Sequence, residues 1–157
     1  MVLPLQLWSC VDTRVVSQEA RKYIGQTYPP APPPLKEVGG SMIDPLDQAE
    51  YAFFEVVDRG VHLVWLMRLL ARDAEGRPLW HIEDVLPLPP VRRGDVLLFA
   101  KCGQAGEYNS EIVAIAKDEE AEELLTNVRR AWRGSRSTGK FDEIATAGIE
   151  CEKEEPW

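Results

Sequence analysis

Apolar and polar residues alternate along the middle of the chain. From Val61 to Ala71 every odd position is apolar, whereas His62 and Arg68 fall on the opposite face. A period of two is typical of a strand with one buried face and one wetter face. The same reasoning, with turn residues between the segments, predicts strands at residues 51–57, 61–72, 79–88, 96–101 and 111–117.

Five short strands joined by tight connections predict a small, strongly curved sheet. Closure or curling of a sheet protects strand edges that would otherwise stay unpaired. The expected fold is α+β and mainly β. It consists of a small SH3-like barrel or curled antiparallel sheet in a single domain at residues 41–157, one amphipathic helix in the C-terminal half, and an N-terminal helical arm.

The helix of the C-terminal half is predicted at residues 118–133. Its apolar stripe at helical spacing consists of Ala121, Leu124, Leu125, Val128 and Trp132. Carboxylates crowd the start of this segment and arginines crowd its end, which complements the helix dipole. Gly134 follows as a natural stop.

Residues 1–40 are predicted to form a helical arm followed by a stiff connector. Apolar residues recur on one face of a helix at residues 12–24. Five of the seven residues at positions 28–34 are proline, which drives the backbone into an extended polyproline II form. Such a segment is typical of a surface spacer, and its Pro29-x-x-Pro32 motif would also fit a groove of the SH3 or WW type.

The chain is acidic, with a formal net charge of −8. A negative field repels phosphate backbones and anionic membranes, so we expect neither general nucleic-acid binding nor membrane association. The three cysteines, Cys10, Cys102 and Cys151, are odd in number and far apart in sequence. We therefore expect no disulfide framework and a reducing, cytoplasmic compartment.

Three carboxylates in one short segment form a candidate metal site. Asp44, Asp47 and Glu50 have no Lys or Arg between residues 41 and 50. Carboxylates that converge from one loop are the ligands that a hard cation such as Ca²⁺ prefers, although the spacing is not that of an EF-hand. The alternative interpretation of this run is solvated surface.

A basic cluster near the end of the predicted helix is the candidate site for a protein partner. Its members are Arg129, Arg130, Arg133, Arg136 and Lys140. Guanidinium groups suit phosphate or carboxylate recognition, so a phosphate, an acidic partner or an RNA backbone could dock there. The alternative is a well-capped helix end followed by a polar loop.

Catalytic chemistry has thin support in this sequence. Cys102 with His62 or His81 would supply a nucleophile and a base, but no motif places these residues together. A buried, inert thiol is the better interpretation of Cys102. The two histidines and the widely separated cysteines lack the spacing of zinc ligands.

Several segments resemble parts of small uncharacterised cyanobacterial proteins. The resemblance lies in residues 127–133, 138–144 and 148–152, with further similarity at residues 80–88 and 111–115. It extends to a small acidic calcium-binding protein of cyanobacteria with an SH3-like barrel. The resemblance implies a regulatory or binding protein without established catalysis.

The expected function is therefore that of a non-enzymatic binding or regulatory module. It would bind a divalent cation, Ca²⁺, through its acidic loops and a protein partner through the basic cluster. The alternative is a subunit or assembly factor that acts only by protein–protein contact. A small thiol enzyme is the third hypothesis.

Overall fold

The computed structural model describes residues 18–153, and this part of the chain consists almost entirely of β-strands. The strands are β1 (Thr27–Tyr28), β2 (Lys36–Leu46), β3 (Ala49–Asp58), β4 (Val61–Arg72), β5 (Pro78–Pro87), β6 (Asp95–Phe99), β7 (Cys102–Gln104), β8 (Glu107–Tyr108), β9 (Ile112–Lys117), β10 (Leu124–Leu125), β11 (Val128–Ser135), β12 (Lys140–Ile144) and β13 (Ile149–Glu152). The strands predicted from the period of two are confirmed by β3, β4, β5, β6 and β9.

These strands form three antiparallel sheets. The large sheet has the order β1-β5-β4-β3-β2, the middle sheet β12-β11-β9-β6, and the small sheet β10-β13-β7-β8. One apolar core joins residues of the large and middle sheets, and another joins the middle and small sheets. The middle sheet is therefore covered on both faces.

β9 shows this two-sided burial most clearly. Val113 and Ile115 belong to the core shared with the large sheet, whereas Ile112, Ala114 and Ala116 belong to the core shared with the small sheet. Successive side chains of a strand point to opposite faces, so a continuous apolar run is what a strand between two layers needs.

A short N-terminal segment covers the outer face of the large sheet. Residues 18–21 form one helical turn, and the rest of the predicted helix up to residue 17 lies outside the described residues. Ala20 and Tyr23 are buried beside Trp65. The Tyr23 hydroxyl donates a 2.7 Å hydrogen bond to Asp58 Oδ2. Burial, followed by this hydrogen bond, raises the pKa of Tyr23 above its ordinary value.

The prediction of an α+β barrel is wrong, because residues 18–153 form three open antiparallel sheets instead of a closed barrel with a long helix. The predicted helix at residues 118–133 is replaced by β10 and β11. Ala131 and Trp132 lie in two different cores, on opposite faces of β11. Two consecutive residues with opposite directions fit a strand, and strand pairing with both β9 and β12 outweighs the local helix propensity.

The domain boundary that we expected after residue 40 falls inside β2. Lys36 to Leu46 form one strand that pairs with β3 on both sides of that position. Within residues 18–153, no helix has the length and apolar character that crossing a bilayer requires.

A disulfide bond joins the middle of the small sheet. Cys102 on β7 and Cys151 on β13 are direct cross-strand neighbours, and their sulfur atoms are bonded. Both residues are fully buried. The expectation of no disulfide framework is therefore wrong for this pair, because sheet register joins residues that are 49 positions apart in sequence.

We expect the double variant Cys102→Ala and Cys151→Ala to lose about 3 to 4 kcal/mol in the free energy of unfolding. The disulfide restricts the unfolded chain over a loop of this length, and its loss restores that entropy. Urea unfolding of the oxidised protein and the double variant measures the difference. Equal urea midpoints for the two proteins would contradict the bond if the denatured wild-type protein also shows two titratable thiols in addition to that of Cys10.

Candidate interaction surface

β2 lies at the edge of the large sheet. Within the described part of the chain its one sheet neighbour is β3, so its other side is not paired. The strand spans 11 residues, which is long compared with the usual 5 to 6. A long edge strand presents a row of backbone N–H and C=O groups that can pair with another chain.

The two ends of β2 carry features that discourage such pairing. Register shifts interrupt the ladder with β3 between Glu37 and Gly39 and again between Ile43 and Leu46. Pro45 lies in the second interruption. Bulges, prolines and charged residues are the usual means of protecting an edge strand. The regular stretch between the two shifts, residues 39–43, has neither a charge nor a proline, and we call it the β2 edge.

Asp44 shows which backbone groups of the strand point outward. Its N–H donates a 3.2 Å hydrogen bond to Ser110 Oγ, and its carbonyl accepts one from the Arg136 guanidinium. Both groups therefore point away from β3. Backbone direction alternates along an antiparallel strand, so the N–H and C=O groups of Met42 and Gly40 also point outward.

The side chains beside the β2 edge are apolar and half exposed. Ile43 is buried between the large and middle sheets, whereas Met42, on the opposite face, is 51% exposed. Val38, at the bulge, is 54% exposed. Gly40 cannot carry a side chain, because a Cβ there would lie 2.6 Å from the Phe53 carbonyl oxygen and 2.7 Å from the Phe54 ring. Residues 39–43 thus present an uncharged and partly apolar strand.

Glu111 holds Arg136 in place, and the Arg136 guanidinium donates to the Asp44 carbonyl near the end of β2. Its Oε1 accepts hydrogen bonds from Arg133, and its Oε2 accepts a 2.7 Å bond from the Arg136 backbone N–H and a 3.1 Å bond from the Arg136 side chain. Burial alone would raise the pKa of Glu111, but the hydrogen bonds from Arg136 and Arg133 outweigh it, so this pKa lies below its ordinary value of 4.5. The ionised carboxylate holds Arg136 in position to reach Asp44.

The five residues of the predicted basic cluster are not a bare cationic surface. Arg129 Nε lies 2.9 Å from Asp95, and Arg130 pairs with Glu143 and lies 4.9 Å from the Trp132 ring. Arg133 and Arg136 share Glu111, as described above. Lys140 is exposed at the start of β12, opposite Ser135. The structure thus gives each arginine a carboxylate of this chain.

The predicted metal residues lie at the β2–β3 hairpin. Asp44 ends the regular part of β2, Asp47 occupies the turn with a φ of 49°, and Glu50 belongs to β3. Glu50 accepts a 2.9 Å hydrogen bond from Arg72, a contact that sequence spacing did not indicate. Among residues 18–153, no group of three or more potential ligand residues is placed to hold a metal ion. Calcium binding stays a prediction.

Cys102, the candidate nucleophile of the thiol-enzyme hypothesis, is not a free thiol in the structure. Cys102 is bonded to Cys151, so it offers no thiolate. His62 Nδ1 lies 2.7 Å from Glu55, and His81 Nδ1 lies 3.2 Å from Glu83, which also binds Arg68 at 2.6 Å. Each histidine thus has its own carboxylate partner on the large sheet.

Sequence reasoning missed the β2 edge and Glu111. The uncharged run at residues 38–43 was a usable signal for an unprotected strand, but no strand was predicted before residue 51. The contacts of Glu111 had no sequence signal, because they join residues 22 and 25 positions apart. Comparison with protein-family models, with curated proteins and with solved structures gave no match.

We expect Glu111→Gln to lower the free energy of unfolding by about 2 kcal/mol at neutral pH, since it weakens charged hydrogen bonds in a buried site. The folded pKa is depressed, so the stabilisation is present above the ordinary pKa of 4.5 and is lost as pH falls through the folded pKa. Urea unfolding at neutral pH and at about pH 3 measures both effects.

Glu143→Gln is the matched control, because Glu143 also binds an arginine but is half exposed. Its loss should cost less than about 0.5 kcal/mol. Equal losses for the two variants, or a loss for Glu111→Gln that does not shrink at low pH, would contradict the role of Glu111.

Thermal unfolding with chelator, excess Mg²⁺ or excess Ca²⁺ tests the metal prediction. A ligand at about 100 times its dissociation constant adds roughly 2.7 kcal/mol, which is a shift of several degrees. The sequence prediction requires a shift with Ca²⁺ alone, whereas the Arg72–Glu50 contact and the lack of a grouped ligand set among residues 18–153 favour no shift. A shift with Ca²⁺ alone that disappears in Asp44→Asn would establish the site at Asp44, Asp47 and Glu50.

Proposed function

We propose that this chain is a non-catalytic binding module that acts through contact of the β2 edge with another protein molecule. The supporting observation is the regular, uncharged stretch at residues 39–43, which is unpaired on one side within the described residues. Strand addition to a sheet edge is a common recognition mode, in which backbone hydrogen bonds give affinity and neighbouring side chains give specificity.

The charged residues favour this surface over the basic cluster. A partner that docks on Arg129, Arg130 or Arg133 must first displace a carboxylate that already lies within hydrogen-bonding distance. Exposed ion pairs are cheap to break, but the exchange of one carboxylate for another gains little. A strand that binds the β2 edge displaces no carboxylate, because the outward backbone groups there would give up only hydrogen bonds to water.

The side chains considered for catalysis are already engaged in other contacts, which favours a binding role for the described part of the chain. The one cysteine among the candidate catalytic residues is in a disulfide, and the histidines pair with Glu55 and Glu83 on the large sheet. The expected cytoplasmic compartment rested on unpaired cysteines, so that reasoning no longer holds with two of them bonded.

We expect Met42→Lys to weaken binding at this surface, because a lysine ammonium beside an added strand would lose hydration. Tagged wild-type and variant proteins are used to capture partners from a lysate of the source organism. A captured protein is then purified and its dissociation constant is measured with each variant. The expected loss is tenfold or more, about 1.4 kcal/mol.

Leu124→Lys is the matched control. Leu124 is 47% exposed on β10, which belongs to the small sheet and not to the large one. It carries the same change in charge, so it should leave binding unaltered. Partners that Met42→Lys and the wild-type protein bind equally well would contradict the proposed surface, provided that thermal unfolding shows all three proteins folded.

A further inference from the structure

We propose that the loop end of the β4–β5 hairpin holds a binding site for a small planar aromatic molecule. The site is a cavity of about 440 Å³, lined by residues of β4, β5, the loop that joins them, and the segment after β1. Cavities of roughly 300 to 1,000 Å³ are usual for small-molecule sites. β2 forms the opposite edge of the large sheet, so this site is separate from the proposed binding surface.

The cavity forms where β1 stops short of the hairpin beside it. β1 ends at Tyr28, opposite Trp80 of β5. Pro29 cannot extend the ladder, because proline has no backbone N–H. Leu79, the next residue along β5, therefore has no strand neighbour on that side within the described part of the chain. Its cross-strand partner on the other side is Ala71 of β4, and directly opposite side chains share one face of a sheet.

The walls of the cavity are apolar. Ala71 and Leu79 contribute methyl groups, and Pro29 and Pro78 contribute their rings. Leu79 is 37% exposed, so the cavity is open to solvent. A ligand that covers these C–H surfaces removes them from water, which is favourable in proportion to the apolar area buried.

Asp73, at the rim, already accepts hydrogen bonds on both carboxylate oxygens. Its Oδ1 accepts 2.9 Å bonds from the backbone N–H groups of Glu75 and Arg77, and its Oδ2 accepts a 2.8 Å bond from Arg77 Nε. These bonds, foremost that from the Arg77 backbone, hold the pKa of Asp73 below its ordinary value. A cationic ligand would have to displace them, so the site does not favour one.

The two arginines of the cavity are held by the edges of their guanidinium groups. Arg72 donates from Nη2 to Glu50 at 2.9 Å and from Nη1 to the Gly76 carbonyl at 3.0 Å. Arg77 is bound to Asp73, as described above. An anionic ligand would compete with these carboxylates and gain little by the exchange. The flat faces of the guanidinium groups remain, and such faces stack on aromatic rings.

The class of ligand follows from these two kinds of surface. An aliphatic molecule would use only the C–H walls, and a charged molecule would displace internal ion pairs. A planar aromatic ring packs on the walls and also stacks on a guanidinium face. Because the cavity is open on one side, we expect a dissociation constant on the order of 1 mM for a small ring such as indole.

Proton NMR of the full chain with indole tests the site, and cyclohexanol is the matched aliphatic probe. We expect indole to shift the methyl protons of Ala71 and Leu79 upfield in a saturable manner, through the ring current. Cyclohexanol should bind about fivefold more weakly. Indole shifts that do not saturate, or that lie elsewhere on the protein, would overturn the site. Equal affinities of the two probes would overturn the aromatic class.

Arg77→Lys separates stacking from simple burial. Lysine keeps the positive charge beside Asp73 but has no planar group. We expect the affinity for indole to fall about fivefold and that for cyclohexanol to stay unchanged. Equal losses for both probes would show a rearranged hairpin instead of a lost stacking partner and would count against the proposal.

Ala71→Phe fills the cavity, and Ala121→Phe is its control at an exposed position between β9 and β10. We expect Ala71→Phe to weaken indole binding by about tenfold or more, while Ala121→Phe binds indole like the wild type. Wild-type affinity in an Ala71→Phe variant that is folded by thermal unfolding would overturn the site.

Two further comparisons identify the source of the ring and keep the proposals apart. N-acetyltryptophanamide carries the ring in its peptide form, so tighter binding than that of indole would assign the site to a partner protein and overturn the small molecule. Met42→Lys should bind indole like the wild type, since it alters only the β2 edge. Failure of partner capture at the β2 edge thus leaves the aromatic site standing, and the absence of indole binding leaves the proposed function standing.

Discussion

The middle sheet is apolar on both faces, and the arrangement of the other layers depends on this constraint. β9 alternates between two cores, so neither of its faces can be left in contact with water without a large loss of hydrophobic free energy. The large sheet covers one face and the small sheet covers the other. The disulfide between Cys102 and Cys151 lies in the core of the second contact, where the small sheet has only short strands.

The buried run of β9, Ile112–Ala116, contains no charged residue, and the charged groups next to it lie at its ends. Glu111 stands immediately before β9, and Arg133 and Arg136 lie at the end of β11. A carboxylate buried at such a junction needs several donors, and it has two guanidinium groups and a backbone N–H. Because Arg136 also reaches the Asp44 carbonyl, the same cluster fastens the edge strand of the large sheet to the middle sheet.

The alternation of β4 and the turn residues between segments were sufficient to predict β3, β4, β5, β6 and β9, whereas the eleven residues of β2 were missed. The same reasoning failed at residues 118–133, where a spacing of three and four suited a helix equally well. Val128, Ala131 and Trp132 form an apolar stripe in a helix, yet as strand residues they contribute to different cores. Pairing with β9 on one side and β12 on the other selects the strand conformation of β11. These contacts depend on residues outside the segment itself, so its local spacing does not reveal them. The same holds for the disulfide and for the contacts of Glu111.

The packing and hydrogen-bonding constraints described above do not extend over the whole of the β2 edge. At one end Arg136 and Ser110 occupy the backbone of Asp44, and at the other end the ladder with β3 is broken beside Val38. Between them Gly40 is dictated by packing, since the backbone and ring of its neighbours on β3 leave no room for a Cβ. Met42 is not dictated in this way, because half of its side chain faces solvent and a lysine would fit without contact with a core. A protein that only had to avoid association would gain from a charge at this position. The apolar side chain of Met42, beside backbone groups that are unpaired within residues 18–153, is therefore the feature on which the proposed binding surface depends.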